Sequence, residues 1–385
     1  MRKRSFKRVW FCLIGFFLVA VIFFFLGTIM HRLVKAERLD ALVSRYILQH
    51  PPTKQKPLAD GVFDTVEQTQ FRNLITIHSH DDIQAKRKAL KRFIWRNAEL
   101  PFGKLPDRVE SVTMLSFADI DSVAGVERLD ILMPLGVTSV AYDFKPKQPR
   151  SCLMVYQEGH RVSFLERKSL IRHLLDAGCE VVALSYPLTG SDNTRPTIDH
   201  PRFGRIFLNN PDDFQFLETE SFSTIQFFLS PPIIALNHAL AGRQFQRVGI
   251  AGFSGGGWAA ELIGALDPRF DSTYSVAGSS PFAVHAAAEG WGSFEQNLAR
   301  LYDIATYTEL YVMAAAGTGR RNIQFFNEFD PCCFSGDNYQ FWRDPVAERA
   351  SELGGSFDII IDRKETKHTL GKMVRDFIVH DFSGQ

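Results

Sequence analysis

Residues 247 to 268 read RVGIAGFSGGGWAAELIGALDP. Gly252, Gly255, Gly256 and Gly257 crowd around Ser254, where an apolar run gives way to a helical pattern ended by Asp267 and Pro268. Glycine is costly inside regular elements, so a cluster at one junction marks a backbone shape or a close approach that other residues cannot supply. Gly252-Phe253-Ser254-Gly255-Gly256 fits G-x-S-x-G, a tight strand-to-helix turn that strains a serine and lifts its hydroxyl out of the sheet. The amide of Gly255 points at the same spot, near the positive end of the helix dipole. A glycine-rich loop without chemistry is the alternative, and it does not account for the strand–turn–helix setting.

A serine hydroxyl is a poor nucleophile at neutral pH and needs a base, itself held by a carboxylate. On a strand–turn–helix scaffold of this kind the partners follow along the chain as an acid and then a histidine, each just after a strand. Asp330 closes NIQFFNEFD and is followed by Pro331; His368 lies in IDRKETKHTLGKMV, between the last strand pattern and the last helix. Singly each reads as an ordinary loop residue, but the order and placement of all three favour a Ser254–Asp330–His368 set. Glu328 and Asp337 are the alternative acids. A second oxyanion donor, beside the Gly255 amide, is expected from the loop Glu158-Gly159-His160-Arg161: Gly159 permits close approach, and the amide of His160 is the candidate. The His160 side chain either lines the site or is a plain loop histidine.

The elements that must position these residues begin near Arg108. Nine short apolar runs read as strands, at 109–117, 126–134, 137–144, 152–159, 180–187, 247–253, 272–278, 322–329 and 357–362. The first three are too close together for helices and predict antiparallel hairpins. Helical patterns then alternate with strands, near 164–177, 222–241, 257–266, 343–353 and 369–379, the signature of a mostly parallel sheet flanked by helices, an α/β class. Residues 188–232 run long between strand and elbow, where a substrate-covering lid insertion is expected. Its phenylalanines at 203, 207, 214 and 216 read as packing residues by default.

From about Arg108 to Phe382 the chain resembles the α/β-hydrolase superfamily, through GFSGGGW, EGH, FDPCCF and KHTL in the expected order. The stretches SGGGW, ALDPRF and FDPCCFSGD are similar to a poorly characterised branch of exported or membrane-linked hydrolases. The resemblance implies an eight-stranded, mostly parallel sheet with an antiparallel start, no cofactor and no metal, and serine chemistry through an acyl-enzyme. Glu158 departs from the usual His-Gly oxyanion signature. The expected activity is carboxylic ester hydrolysis, esterase- or lipase-like, on a small, lipid or acylated-glycan ester. Acyl transfer on the same residues, or a binding protein that kept the fold without turnover, are the alternatives.

The 385 residues carry a net charge of +1 and 45% hydrophobic residues, so nothing points to nucleic acid. Residues 9–30 form an uncharged apolar run, preceded by Arg2, Lys3, Arg4, Lys7 and Arg8. The run is long enough to span a bilayer and lacks a small-x-small cleavage site. It reads as a transmembrane signal anchor with residues 1–8 as a basic cytoplasmic tail. The chain is then a single-pass membrane protein with its 108–385 domain outside the cytoplasm, in a bacterium at the inner membrane facing the periplasm. Residues 31–107 read as a stalk and helical preface. Within them His78, His80 and Asp82 mimic the H-x-H-x-D start of a metal site, but no further ligands follow in the required places, and a polar turn before a helix is the better reading. Of five cysteines, Cys152 and Cys179 open neighbouring strands and could pair; Cys332 and Cys333 read as shaping the acid loop, not as a vicinal bridge.

Overall fold

A computed structural model describes residues 68–96, 101–284, 293–334 and 338–384. The basic tail, the apolar run of 9–30, the first part of the stalk and the alternative acid Asp337 lie outside these residues. No described helix is long and apolar enough to cross a membrane.

Two helices open the described chain, α1 (Gln68–Asn73) and α2 (His80–Trp95). The H-x-H-x-D stretch is the start of α2. Ser79 Oγ accepts from the Asp82 amide at 3.2 Å, and the Asp82 carboxylate accepts from the amides of His78 and Ser79 at 2.9 Å each. This reciprocal cap satisfies donors that a helix start leaves unpaired. Ile83, Arg87, Leu90 and Ile94 recur at helical spacing and are buried. Arg87 Nε donates to the Ala265 carbonyl at 2.9 Å and Trp95 Nε1 to Ser230 Oγ at 2.9 Å. The second half of the expected preface is thus docked on the α/β body, because its apolar stripe needs a partner.

The body is built on β1 (Arg108–Val112), β2 (Val123–Leu132), β3 (Thr138–Pro146), β4 (Cys152–Gln157), β5 (Glu180–Leu184), β8 (Arg247–Phe253), β9 (Ser272–Val276), β10 (Arg321–Asn327) and β11 (Ser356–Asp362), with a separate hairpin β6 (Thr197–His200) and β7 (Gly204–Phe207). All nine expected strands form. Their order is β1-β2-β3-β5-β4-β8-β9-β10-β11, nine strands where the resemblance implied eight. The additional strand is the edge strand β1, which pairs antiparallel with β2. Pairing is antiparallel as far as β3–β5 and parallel from β5 to β11. Strands β4, β5 and β9 are buried throughout, which explains the apolar runs of β4 and β5, Leu153–Tyr156 and Val181–Leu184, whereas β9 buries Ser272, Thr273 and Ser275 as well.

The crossover helices are α3 (Lys168–Asp176), α4 (Gln226–Leu240), α5 (Gly255–Leu266), α6 (Tyr307–Ala315), α7 (Arg343–Glu352) and α8 (Lys372–Ser383). Helices α3 and α8 pack together, and α5 packs against α4 and α6. After β4 the chain crosses to β5 on one side, while β8 lies on the other. This reversal opens a crevice at the carboxyl ends of β4 and β8, where ligands bind in open α/β sheets. The stretch expected as an insertion over 188–232 ends earlier, since residues 226–232 already belong to α4 despite Pro231 and Pro232. Of the four phenylalanines at 203, 207, 214 and 216 only Phe214 is buried, 4.5 Å from Phe227 ring to ring; Phe203, Phe207 and Phe216 are 59%, 56% and 42% exposed, with Phe203 and Phe216 5.7 Å apart, ring to ring, at the surface. A disulfide joins Cys152 to Cys179 across the β4–β5 edge, and a second joins the neighbours Cys332 and Cys333, which the sequence reading disfavours.

Candidate active site

Ser254 stands between β8 and α5 with φ 55° and ψ −126°, a conformation that costs a non-glycine residue on the order of 1–3 kcal/mol. The surroundings over-determine it. Its amide donates to the Val276 carbonyl on β9 at 2.8 Å, and its own carbonyl accepts from the amides of Gly257 and Trp258 at 2.8 and 3.1 Å. Gly256 is required because a Cβ there would lie 2.1 Å from the Gln157 carbonyl oxygen at the end of β4. The elbow therefore sits directly against the neighbouring strand end, as the glycine cluster predicts.

Asp330, just beyond β10, and His368, between β11 and α8, reach the same point. His368 Nε2 lies 3.0 Å from Ser254 Oγ, and His368 Nδ1 lies 2.8 Å from Asp330 Oδ2. The other carboxylate oxygen of Asp330 accepts from the amides of Cys332 and Cys333 at 2.8 and 3.2 Å. Asp330 is buried, whereas His368 is only partly so. Of the alternative acids, Glu328 turns toward Arg363, 3.3 Å away.

Gly159 and His160 follow β4 as expected. A Cβ on Gly159 would meet the Phe253 carbonyl oxygen at 2.6 Å and Ser254 Cβ at 2.7 Å, so this loop touches the elbow backbone to backbone. Glu158, the departure from the usual signature, turns inward and is fully buried. Its carboxylate accepts from Tyr156 Oη at 2.9 Å and from the Gly159 amide at 3.0 Å, and lies 3.0 Å from Arg167 Nε. Burial pushes its pKa up, against the opposing pull of Arg167 and these two donors. The Arg167 guanidinium in turn covers the Phe253 ring at 4.6 Å, and Phe253 lies 4.7 Å from the His368 ring.

A neighbour of the candidate site that the sequence reading missed is Glu295. It is wholly buried, its Oε1 lies 2.9 Å from His160 Nε2, and it accepts from Tyr186 Oη at 3.1 Å. The His160 contact is not aligned as a hydrogen bond, and it is an ion pair when the imidazole is protonated. Burial opposes the charged imidazole, yet the Glu295 carboxylate outweighs it and raises the His160 pKa. The ring edge bearing Nδ1 lies against Gly255. No motif announces Glu295; only the fold carries it to His160.

A cavity of about 430 Å³ opens over Ser254, lined by His160, Val162, Arg167, Phe253, Cys332–Cys333 and His368 among others. Among the described residues, two groups of side chains have spacing suited to a metal ion. In one, Cys332 and Cys333 are tied to each other and His368 faces Ser254. In the other, Lys145 Nζ already contacts Asp143 and lies 3.4 Å from Glu127, whose carboxylate lies 2.9 Å from His238 Nε2.

No family model matches the chain, and no curated protein matches it. Solved structures do. Acetyl xylan esterase 1 from Thermoanaerobacterium sp. JW/SL YS485 superposes with a TM-score of 0.53 at 13% identity, over 82% of this chain and 97% of that one. The methylesterase BT1017 superposes with a TM-score of 0.53 at 14% identity, over 82% of this chain and 64% of that one. Likeness at such identities speaks to architecture: the chain has the α/β-hydrolase fold.

Proposed function

We propose that this α/β-hydrolase chain is a serine hydrolase that cleaves carboxylic esters through an acyl-enzyme. The observation that carries the proposal is the continuous contact Ser254 Oγ–His368–Asp330, at 3.0 and 2.8 Å, on a strained elbow that points into a cavity. Esterases among the structures of the same fold support it.

In the proposed reaction Ser254 Oγ attacks the ester carbonyl carbon while His368 Nε2 takes its proton. The negative charge that develops on the carbonyl oxygen is received by the amides of Gly255 and His160. Neither amide donates to another group among the described residues. Fixed donors of this kind need no reorganisation as the charge appears. Asp330, held by two amides, keeps the His368 proton on Nδ1 and stabilises the imidazolium. The carbon–oxygen bond to the alcohol then breaks and the alcohol oxygen takes the proton from His368. Water, deprotonated by His368, cleaves the acyl-enzyme and frees Ser254. Steady-state hydrolysis of p-nitrophenyl acetate by wild type and Ser254→Ala tests this: the proposal requires turnover by the first and its loss in the second.

The same proposal places residues 9–30 as a transmembrane anchor with residues 1–8 in the cytoplasm and the hydrolase domain outside it, supported by the length of the apolar run and the basic residues before it. A reporter active only outside the cytoplasm, fused at the C-terminus, gives signal if the orientation holds. Signal only from a cytoplasmic reporter refutes it.

A further inference from the structure

The cavity over Ser254 is one compartment of a two-part cleft. A second cavity, of about 530 Å³, adjoins it, and Arg161, Asn210, Pro211 and Asp212 line both. The compartments differ in chemistry. Around Ser254 much of the wall is apolar: Val162, Phe253, Pro211 and the Cys332–Cys333 disulfide. The annex is formed largely by Arg161, Thr189, Arg195, Asn209, Asp212 and Asp213, most of them from the stretch between β5 and α4.

The hydrogen bonds in the annex sort its groups into structural and free ones. Asp213 accepts from the amides of Asn209 and Asn210 at 2.8 and 3.0 Å and serves the backbone. Arg195 donates to the carbonyls of Leu188 and Gly190 at 2.8 and 3.2 Å. One oxygen of Asp212 accepts from the Phe294 amide at 3.3 Å. The side chains of Arg161 and Asn209 make no hydrogen bond or ion pair to the described residues, and both are exposed at the cleft. Two arginines face two aspartates, so the annex has no net sign and selects neither a phosphate nor a polycation. An alkyl chain placed there would strip water from these polar groups and return no hydrogen bonds, a cost that disfavours it. A neutral group rich in hydroxyls, each both donor and acceptor, matches free donors and acceptors side by side.

We infer that the annex is the subsite for the alcohol half of the ester, and that this alcohol is a polyhydroxylated, sugar-like group, while the apolar compartment over Ser254 takes a short acyl group. The assignment rests on the ester-cleaving reading of Ser254. It is also the orientation that turnover needs: the alcohol departs first, and from the exposed annex it leaves without passing the acyl group on Ser254. A lipid ester is the substrate this arrangement argues against.

The test compares kcat/KM for methyl 6-O-acetyl-glucoside and for hexyl acetate, which carries the same acyl group on an alcohol without further hydroxyls, with p-nitrophenyl acetate as a reference. Wild type is expected to prefer the sugar acetate to hexyl acetate by tenfold or more. Arg161→Ala and Asn209→Ala, at exposed positions, are each expected to lower the sugar-to-reference ratio by about 3- to 10-fold, the range for one lost hydrogen bond, with melting temperatures measured beside them. Preference for hexyl acetate, or a ratio that neither variant moves while p-nitrophenyl acetate is still hydrolysed, overturns the subsite. Failure to hydrolyse any of the three esters overturns the ester reading and the subsite with it.

Discussion

Replacing Asp330 by asparagine changes one atom type, and the structure says how that change reaches Ser254. Asp330 Oδ1 accepts from two amides, those of Cys332 and Cys333, at 2.8 and 3.2 Å. In Asp330→Asn the side-chain carbonyl oxygen stays with these donors, because turning the amide over would set an NH2 against two N–H groups. The NH2 therefore faces His368 Nδ1, at the position now occupied by Oδ2, 2.8 Å away. A donor there forces Nδ1 to accept and moves the imidazole proton to Nε2, the atom 3.0 Å from Ser254 Oγ. A protonated Nε2 cannot take the serine proton. The same exchange of tautomer in serine hydrolases costs about 10⁴ in kcat, roughly 5.5 kcal/mol of activation free energy. The assay is p-nitrophenyl acetate turnover at pH 7.5, with thermal unfolding measured in parallel. Expected are a loss of this order for Asp330→Asn with little change in melting temperature, and activity within about threefold of wild type for Glu328→Gln, where no such mechanism operates. Retention of more than a tenth of wild-type kcat by a folded Asp330→Asn would refute the tautomer argument.

Gly159→Ala pushes the His160 amide away from Ser254, because its Cβ would meet the Phe253 carbonyl oxygen at 2.6 Å. Misplacement by about 1 Å costs on the order of 10²-fold, a loss to be read in kcat for p-nitrophenyl acetate. Glu295→Gln removes the carboxylate that raises the His160 pKa, so the imidazole titration, followed by NMR, moves to lower pH. Glu261 on α5 is fully buried with hydrogen bonds from Asn322 and Gln324, and burial raises its pKa to about 7 from the ordinary 4.5. The folded chain then holds this proton to higher pH than the unfolded chain does. Its contribution to stability is full below pH 4.5 and is lost as pH rises through 7, by about 3 kcal/mol. Urea unfolding at pH 5 and 8 should show a smaller difference for Glu261→Gln than for wild type. The Cys152–Cys179 bridge, 27 residues apart in sequence, restricts the unfolded chain. Replacing both cysteines by serine is expected to cost about 3–4 kcal/mol of stability in denaturant unfolding.

The elements of the proposed site were legible because their constraints are local. The glycines around Ser254 mark an elbow whose close approach to β4 only glycine allows, and the apolar runs ending at Asp330 and before His368 are parallel strands, the buried β10 and the half-buried edge strand β11. Other parts depend on contacts made far along the chain. Helix α6 is buried on every side, so YTELYVMAA shows no polar face to give its period away. The β6–β7 hairpin is short and mostly exposed, with a Gly204 turn at φ 70° and little apolar alternation. The docking of α2, in the expected helical preface, on the body follows from the partner found by its apolar stripe. Glu295 meets His160 across 135 residues, and nothing in the residues around it records that pairing.

The most direct measurement is peptide mapping of the detergent-solubilised chain after reaction with a fluorophosphonate, beside Ser254→Ala and His368→Ala. The account predicts one adduct, on Ser254, formed rapidly by wild type, absent from the serine variant and strongly slowed in the histidine variant. A folded wild-type chain that forms no adduct, or forms it equally well without His368, contradicts the claim that Ser254 is an activated nucleophile.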